Sequence, residues 1–231
     1  MATADLSLSS PDIGRELADV ADISAAVLAV DLSLVLAVDC SSSVDAGDFK
    51  LQMSGIASAL RDPSVYQAIA GGPRRQIALA LVQWSTTQSQ AVTVHWRVLA
   101  NQIDLEETAR EIENATRQSI PGGTGLAAAV DYCASLLRAL AVIADRQVID
   151  VSGDGEDNEG GDARAARNRA LAQGITINGL PIVYDSTEVL PYYHDQVIGG
   201  VGAFLEPASN MITFRDAMLR KLLREIGGPV S

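Results

Sequence analysis

Hydrophobic and polar positions fall into short blocks that change period along the chain. Leu32, Leu34, Val35, Leu36, Ala37 and Val38 form a nearly continuous apolar run, the pattern of a strand covered on both faces by helices. It stops at Asp39-Cys40-Ser41-Ser42-Ser43. Phe49, Leu51, Met53, Ile56, Ala57 and Leu60 then recur at helical spacing and predict a helix over about 47–60. Asp45 is its expected cap and Asp48, three residues later, the second half of a capping arrangement. Gly71-Gly72-Pro73 turns the chain into a second buried strand over 77–84. Residues 91–98 alternate, with Val92, Val94, Trp96 and Val98 assigned to one face and Thr93, His95 and Arg97 to the other. That is a half-exposed edge strand, antiparallel and reached by a hairpin.

Leu105, Ala109, Ile112 and Ala115 return to helical spacing, and another helix is expected from about 125 to 140, after Pro121-Gly122-Gly123 and Thr124. A third core strand over 148–151 ends in Ser152-Gly153-Asp154-Gly155. A helix over 162–173, a strand over 175–183, a helical stretch over 192–198 and a short strand over 203–205 follow. Phe214, Ala217, Met218, Leu222 and Ile226 mark a terminal amphipathic helix closed by Gly227-Gly228-Pro229. Strand and helix alternate throughout, so the fold class is α/β: a doubly wound, mostly parallel sheet with one antiparallel edge strand. One domain over 31–226 is expected, with a loose N-terminal arm over 1–30, including a helical turn near 16–20, and a tail over 227–231.

Charge narrows the partners. Lys and Arg number 17 against 29 Asp and Glu, a formal net charge of −12, which repels a phosphate backbone and argues against nucleic acid. The two cysteines cannot build a disulfide framework, and Cys40 and Cys133 read as buried thiols. The apolar stretch over 25–38 contains Asp31 and is shorter than the ~20 residues that a bilayer crossing needs. The first 24 residues lack a basic start followed by an apolar run, so they do not read as a signal peptide.

In an open parallel sheet, ligands gather beyond the carboxyl ends of the strands. Asp39 and Asp154 both stand there. Ser41 and Ser43 follow the first, and Thr124 begins another helix after a Pro-Gly-Gly turn. Two carboxylates with three hydroxyls are hard oxygen donors, suited to a hard divalent cation: magnesium first, with manganese or calcium open. Two carboxylates neutralise one dication, and the hydroxyls add ligands without charge, so the metal retains an affinity for a carboxylate from outside. Such a site binds; it needs no general base.

Asp39-Cys40-Ser41-Ser42-Ser43 has the form D-x-S-x-S, and with Thr124 and the Ser-Gly-Asp-Gly around Asp154 it resembles the metal-ion-dependent adhesion site of von Willebrand factor type A domains. The resemblance spans about 31–226 and implies their Rossmann-like three-layer sandwich. Residues 146–155 and 174–182, with Tyr192-Tyr193 and 197–200, are similar to an uncharacterised bacterial family of such domains, whose members are typically periplasmic or secreted. By this resemblance Ser41, Ser43 and Thr124 touch the metal, Asp39 and Asp154 act directly or through water, and the partner is a protein or peptide presenting a carboxylate. No catalytic residue is implied, and the oligomeric state stays open.

Other readings attach to the same residues. Asp39, Ser41 and Ser43 are also ordinary helix-capping types. A magnesium-dependent phosphatase would use Asp39 as nucleophile, but such enzymes need an aspartate two residues on, where Ser41 stands, and only Lys50 and Lys221 are available as lysines. Gly123-Thr124-Gly125-Leu126-Ala127-Ala128 fits a dinucleotide fingerprint but lacks the preceding strand that motif requires. Residues 154–165 begin like a calcium loop, then place Glu159 where its glycine belongs. Glu156, Asp157 and Glu159 read most simply as a solvated acidic loop. His95 and His194 lack metal-ligand spacing, Trp84 and Trp96 read as core, and the sequon at Asn114 falls on a helix.

Overall fold

The computed structural model describes residues 28–118, 122–184 and 186–228. Residues 29–30 of the expected N-terminal arm already belong to the first strand; residues 1–27 with the expected turn near 16–20, Pro121, and most of the C-terminal tail lie outside the described residues.

Five strands form one sheet in the order β3-β2-β1-β4-β5. They are β1 (Ala29–Asp39), β2 (Ile77–Trp84), β3 (Gln90–Leu99), β4 (Ile143–Gly153) and β5 (Ile175–Pro181). β1 runs parallel to β2 and β4, β4 parallel to β5, and only β3 is antiparallel. The apolar run of β1 occupies the centre because both its faces are covered. Leu32, Leu34, Leu36 and Val38 enter one core layer, and Val35 and Ala37 the other.

The first layer packs under helices α1 (Ala46–Leu60), α2 (Pro63–Gly71), α3 (Gln102–Glu113) and α7 (Phe214–Gly227). The second packs under α4 (Leu126–Ala139), α5 (Ala163–Leu171) and the short α6 (Val189–Tyr192), which continues into a π-turn, Tyr193–Val197. Asp45 caps α1 as expected, its Oδ1 accepting from the Gly47 and Asp48 amides. Reciprocal capping occurs instead at α3, between Asn101 and Asp104.

Three expectations need correction. Register shifts between Leu79, Leu81 and Val82 interrupt the alternation of β3. Val94 therefore joins the α1/α7 layer while Val92 and Trp96 join the α4/α5 layer; a bulge flips the side chains beyond it. β4 begins at Ile143, well before Val148, because β1 offers it a ladder from Ala29 onward. The strand expected over 203–205 is absent; isolated bridges Ile177↔Gly199, Gly179↔Leu205 and Ile182↔Ala208 edge β5 instead.

Register also decides where function can sit. Val38 is opposite Ser152 and Asp39 opposite Trp84. The carboxyl ends of β1, β2 and β4 thus finish side by side.

Candidate metal centre

Asp39 is the last residue of β1 and is fully buried, although it carries a carboxyl group. Its Oδ1 accepts from the Ser41 amide at 2.7 Å, so the chain folds back at once and points the next hydroxyls along the same edge. Ser41 Oγ and Ser43 Oγ are 3.0 Å apart, and Ser43 Oγ donates to Asp154 Oδ1 at 2.7 Å. Asp39, Ser41, Ser43 and Asp154 are thereby joined in one continuous set of contacts from two neighbouring strand ends.

Thr124 arrives on a separate loop, docked from three sides. The Ser42 amide donates to the Gly122 carbonyl at 2.9 Å, the Gly125 amide to the Ser85 carbonyl beyond β2 at 2.6 Å, and the Asn158 amide to the Thr124 carbonyl at 3.0 Å. Asn158 Oδ1 accepts from the Thr124 amide in return, at 2.8 Å. Thr124 is buried, and a Cβ placed on Gly155 would lie 3.7 Å from its Oγ1. All five expected residues therefore belong to one edge of the sheet.

Burial sets the electrostatics. It pushes the Asp39 carboxyl from 3.8 up to about 7; the Ser41 amide opposes this, the nearby Asp154 carboxylate adds to it, and the Ser41 hydroxyl and the Asp154 amide oppose it more weakly. Asp39 Oδ2 is buried without a hydrogen bond of normal geometry. A buried carboxylate oxygen left over costs free energy unless something positive meets it. Two carboxylates and adjoining hydroxyls with one acceptor to spare fit a hard dication. Among the described residues no cluster of three His, Cys, Asp or Glu side chains is placed to hold a metal, so a cation at this edge has to draw on hydroxyls. Cys40 contributes no nucleophile: burial, then the Asp39 charge, push its thiol up to about 12.

Several residues around the centre escaped the sequence reading. Arg117 threads its guanidinium under the serine loop, donating to the carbonyls of Cys40, of Ser41 at 2.8 Å and of Val44 at 2.9 Å. An arginine in a polar connection carries no signal for that role. The acidic loop is more than a solvated face. Asp157 accepts from the Ala127 amide at 2.9 Å, capping α4, whose own N-cap, Gly125, has no side chain to do so. Gly153 is needed because a Cβ there would lie 2.9 Å from Asp39 Oδ2 and 2.8 Å from the buried Tyr193 hydroxyl. Residues 114–118 form no strand before Thr124, and His95 and His194 are exposed.

A family model described as "Protein of unknown function (DUF1194)" matches residues 29–230. The chain belongs to that family. No curated protein sequence matches this DUF1194 chain. Its fold is that of von Willebrand factor type A domains. One similar structure is von Willebrand factor type A from Catenulispora acidiphila, with 15% identity over 86% of this chain and 43% of that one, TM-score 0.55. Another is the pilus adhesin SpaC from Lactobacillus rhamnosus GG, with 13% identity over 87% and 31%, TM-score 0.59. A third is proximal thread matrix protein 1 from the mussel byssus "with zinc occupied MIDAS motif", with 13% identity over 84% and 46%, TM-score 0.57. The DUF1194 chain spans less than half the length of each of these. No helix among its described residues is long and apolar enough to cross a membrane.

Proposed function

We propose that this chain is a non-enzymatic, metal-dependent binding module of the adhesion type. Ser41, Ser43 and Thr124 would hold a divalent cation through their hydroxyls, and Asp39 and Asp154 directly or through water. A carboxylate from a protein or peptide partner would complete the shell. The observation that carries this reading is the link from Ser43 Oγ to Asp154 Oδ1 beside the unsatisfied Asp39 Oδ2. When bound, the metal supplies the positive charge that two neighbouring carboxylates lack, and a Lewis-acidic position for an incoming anion. The chain's own part is to fix the hydroxyls: the Ser41 amide orients Asp39, and Arg117 braces the serine loop. An all-oxygen donor set favours magnesium, manganese or calcium over softer ions, and the zinc in the mussel structure supports a divalent site in the same fold.

The phosphatase reading gains nothing from the geometry. Ser41 occupies the position of the second aspartate, and Lys221 is buried in ion pairs with Asp150 and Glu225 on α7. Isothermal titration with magnesium tests the proposal. Wild-type protein should bind about one equivalent, and Asp39→Ala should weaken binding by at least about tenfold. No binding to wild type, or metal-dependent turnover of p-nitrophenyl phosphate, would count against it.

A further inference from the structure

Tyr193 carries a polar group into the core beside the metal centre. Its side chain is fully buried in the α4/α5 layer, yet its hydroxyl has no hydrogen-bond partner among the described residues. An orphaned buried hydroxyl costs free energy that a phenylalanine would avoid. Two glycines make room for the ring. A Cβ on Gly179 of β5 would lie 2.9 Å from Tyr193 Cδ1, and a Cβ on Gly153, the last residue of β4, would lie 2.8 Å from the hydroxyl. That same Gly153 position is 2.9 Å from Asp39 Oδ2, the buried carboxylate oxygen that lacks a normal hydrogen bond. The two unmet atoms flank one point on the backbone of β4, next to Asp154. One can donate and the other accepts.

The backbone under this tyrosine is also uncommon. α6 ends at Tyr192, and the chain widens into the π-turn Tyr193–Val197; such segments are rare and recur at functional sites. The Tyr192 ring meets the Tyr193 ring edge-on at 6.3 Å, and its hydroxyl accepts from the Asp157 amide at 3.1 Å. Tyr192 holds the loop that follows Asp154, while Tyr193 reaches Gly153 and Asp39. Burial first, then the Asp39 and Asp154 charges, push the Tyr193 hydroxyl well above its ordinary range, so it stays an O–H. We infer that Tyr193 is a positioning residue of the metal centre, its hydroxyl donating to Asp39 Oδ2 directly or through one water. It fixes the second oxygen as the Ser41 amide fixes the first, and it favours the charged carboxylate that a cation requires. A carboxylate offers about four lone pairs, so Asp39 keeps the capacity to meet a cation or its water. The effect on metal binding rests on the metal reading above; the contact between Tyr193 and Asp39 does not.

The test is Tyr193→Phe in the whole chain, which keeps the ring and removes one oxygen. In chelated protein at about pH 8 it should raise the unfolding equilibrium constant about tenfold, the loss of a hydrogen bond to a charged group. In an Asp39→Ala background the same change should have less than about a twofold effect, because the acceptor is gone. A hydroxyl that served only as packing would give the opposite sign, since removing an orphan leaves the constant unchanged or lower. Titrated with magnesium, Tyr193→Phe should bind at least about tenfold more weakly than wild type, as for other hydrogen bonds behind a metal-ligating group. An unchanged or lowered unfolding constant, an equal effect in the Asp39→Ala background, or undiminished magnesium affinity would overturn the assignment. Wild-type protein that binds no magnesium would count against the metal reading, and the chelated measurements would then decide the contact between Tyr193 and Asp39 by themselves.

Discussion

Asp39 shows how a single side chain sets the conditions for the proposed chemistry. Its carboxyl is held at about 7 mainly because it is buried. In metal-free protein the folded state therefore keeps a proton that the unfolded state releases from about 3.8 upward. The folded form binds more protons in that window, so stability falls as pH rises through it and levels off above about 7. Asp150, also raised to about 7, adds to the slope with the same sign. A cation must displace the Asp39 proton, so apparent metal affinity should drop about tenfold per pH unit below about 7. Denaturant unfolding of chelated protein from about pH 5 to about pH 8 should show the decline, and Asp39→Asn should remove part of it. Magnesium titrations at the same pH values check the affinity. A flat stability profile would mean that the Asp39 carboxylate is better solvated than its burial indicates.

Elements were legible in the sequence wherever one period ran long enough to be read. β1, β2 and the stripes of α1, α3 and α7 were of that kind, and so was the D-x-S-x-S turn, whose residue types carry their chemistry. What escaped depends on partners distant in sequence: the bulge in β3, the early start of β4 along β1, Arg117 beneath the serine loop, and Asn158 clasping Thr124. α7 holds the sharpest case. Lys221 and Glu225 stand one turn apart on its apolar face, and no periodicity reveals that Asp150 on β4 waits opposite them. Lys221→Met keeps the volume but leaves two carboxylates buried together. Removing one partner of a buried ionic group typically costs about 3–5 kcal/mol, and that loss is expected near neutral pH. It should shrink at about pH 5, where Asp150 is protonated. Denaturant midpoints at the two pH values measure it; a loss below about 1 kcal/mol at neutral pH would show that desolvation of the trio cancels its attraction.

At the scale of the whole molecule, the net charge of −12 works against the proposed partner's carboxylate, while the cation works for it. The rim is itself acidic: beyond burial, the Asp48, Asp154 and Asp45 carboxylates hold the Tyr184 hydroxyl up at about 12, and Glu156 and Glu159 follow on the next loop. These forces differ in range. Contact between metal and carboxylate acts at bonding distance and is little screened, whereas repulsion from the rest of the surface extends over the Debye length, ~10 Å at 0.1 M salt and ~30 Å at 0.01 M. Raising ionic strength therefore removes more repulsion than attraction. At saturating magnesium, a purely acidic peptide should bind more tightly as salt goes from about 0.01 M to about 0.1 M, chiefly through a faster on-rate. A peptide whose single carboxylate is flanked by lysines should show the opposite trend, because the acidic rim then attracts it. Association kinetics of the two peptides across that range separate the contributions. Weaker binding of the acidic peptide with added salt would locate its attraction in a basic surface rather than in a cation at Asp39 and Asp154.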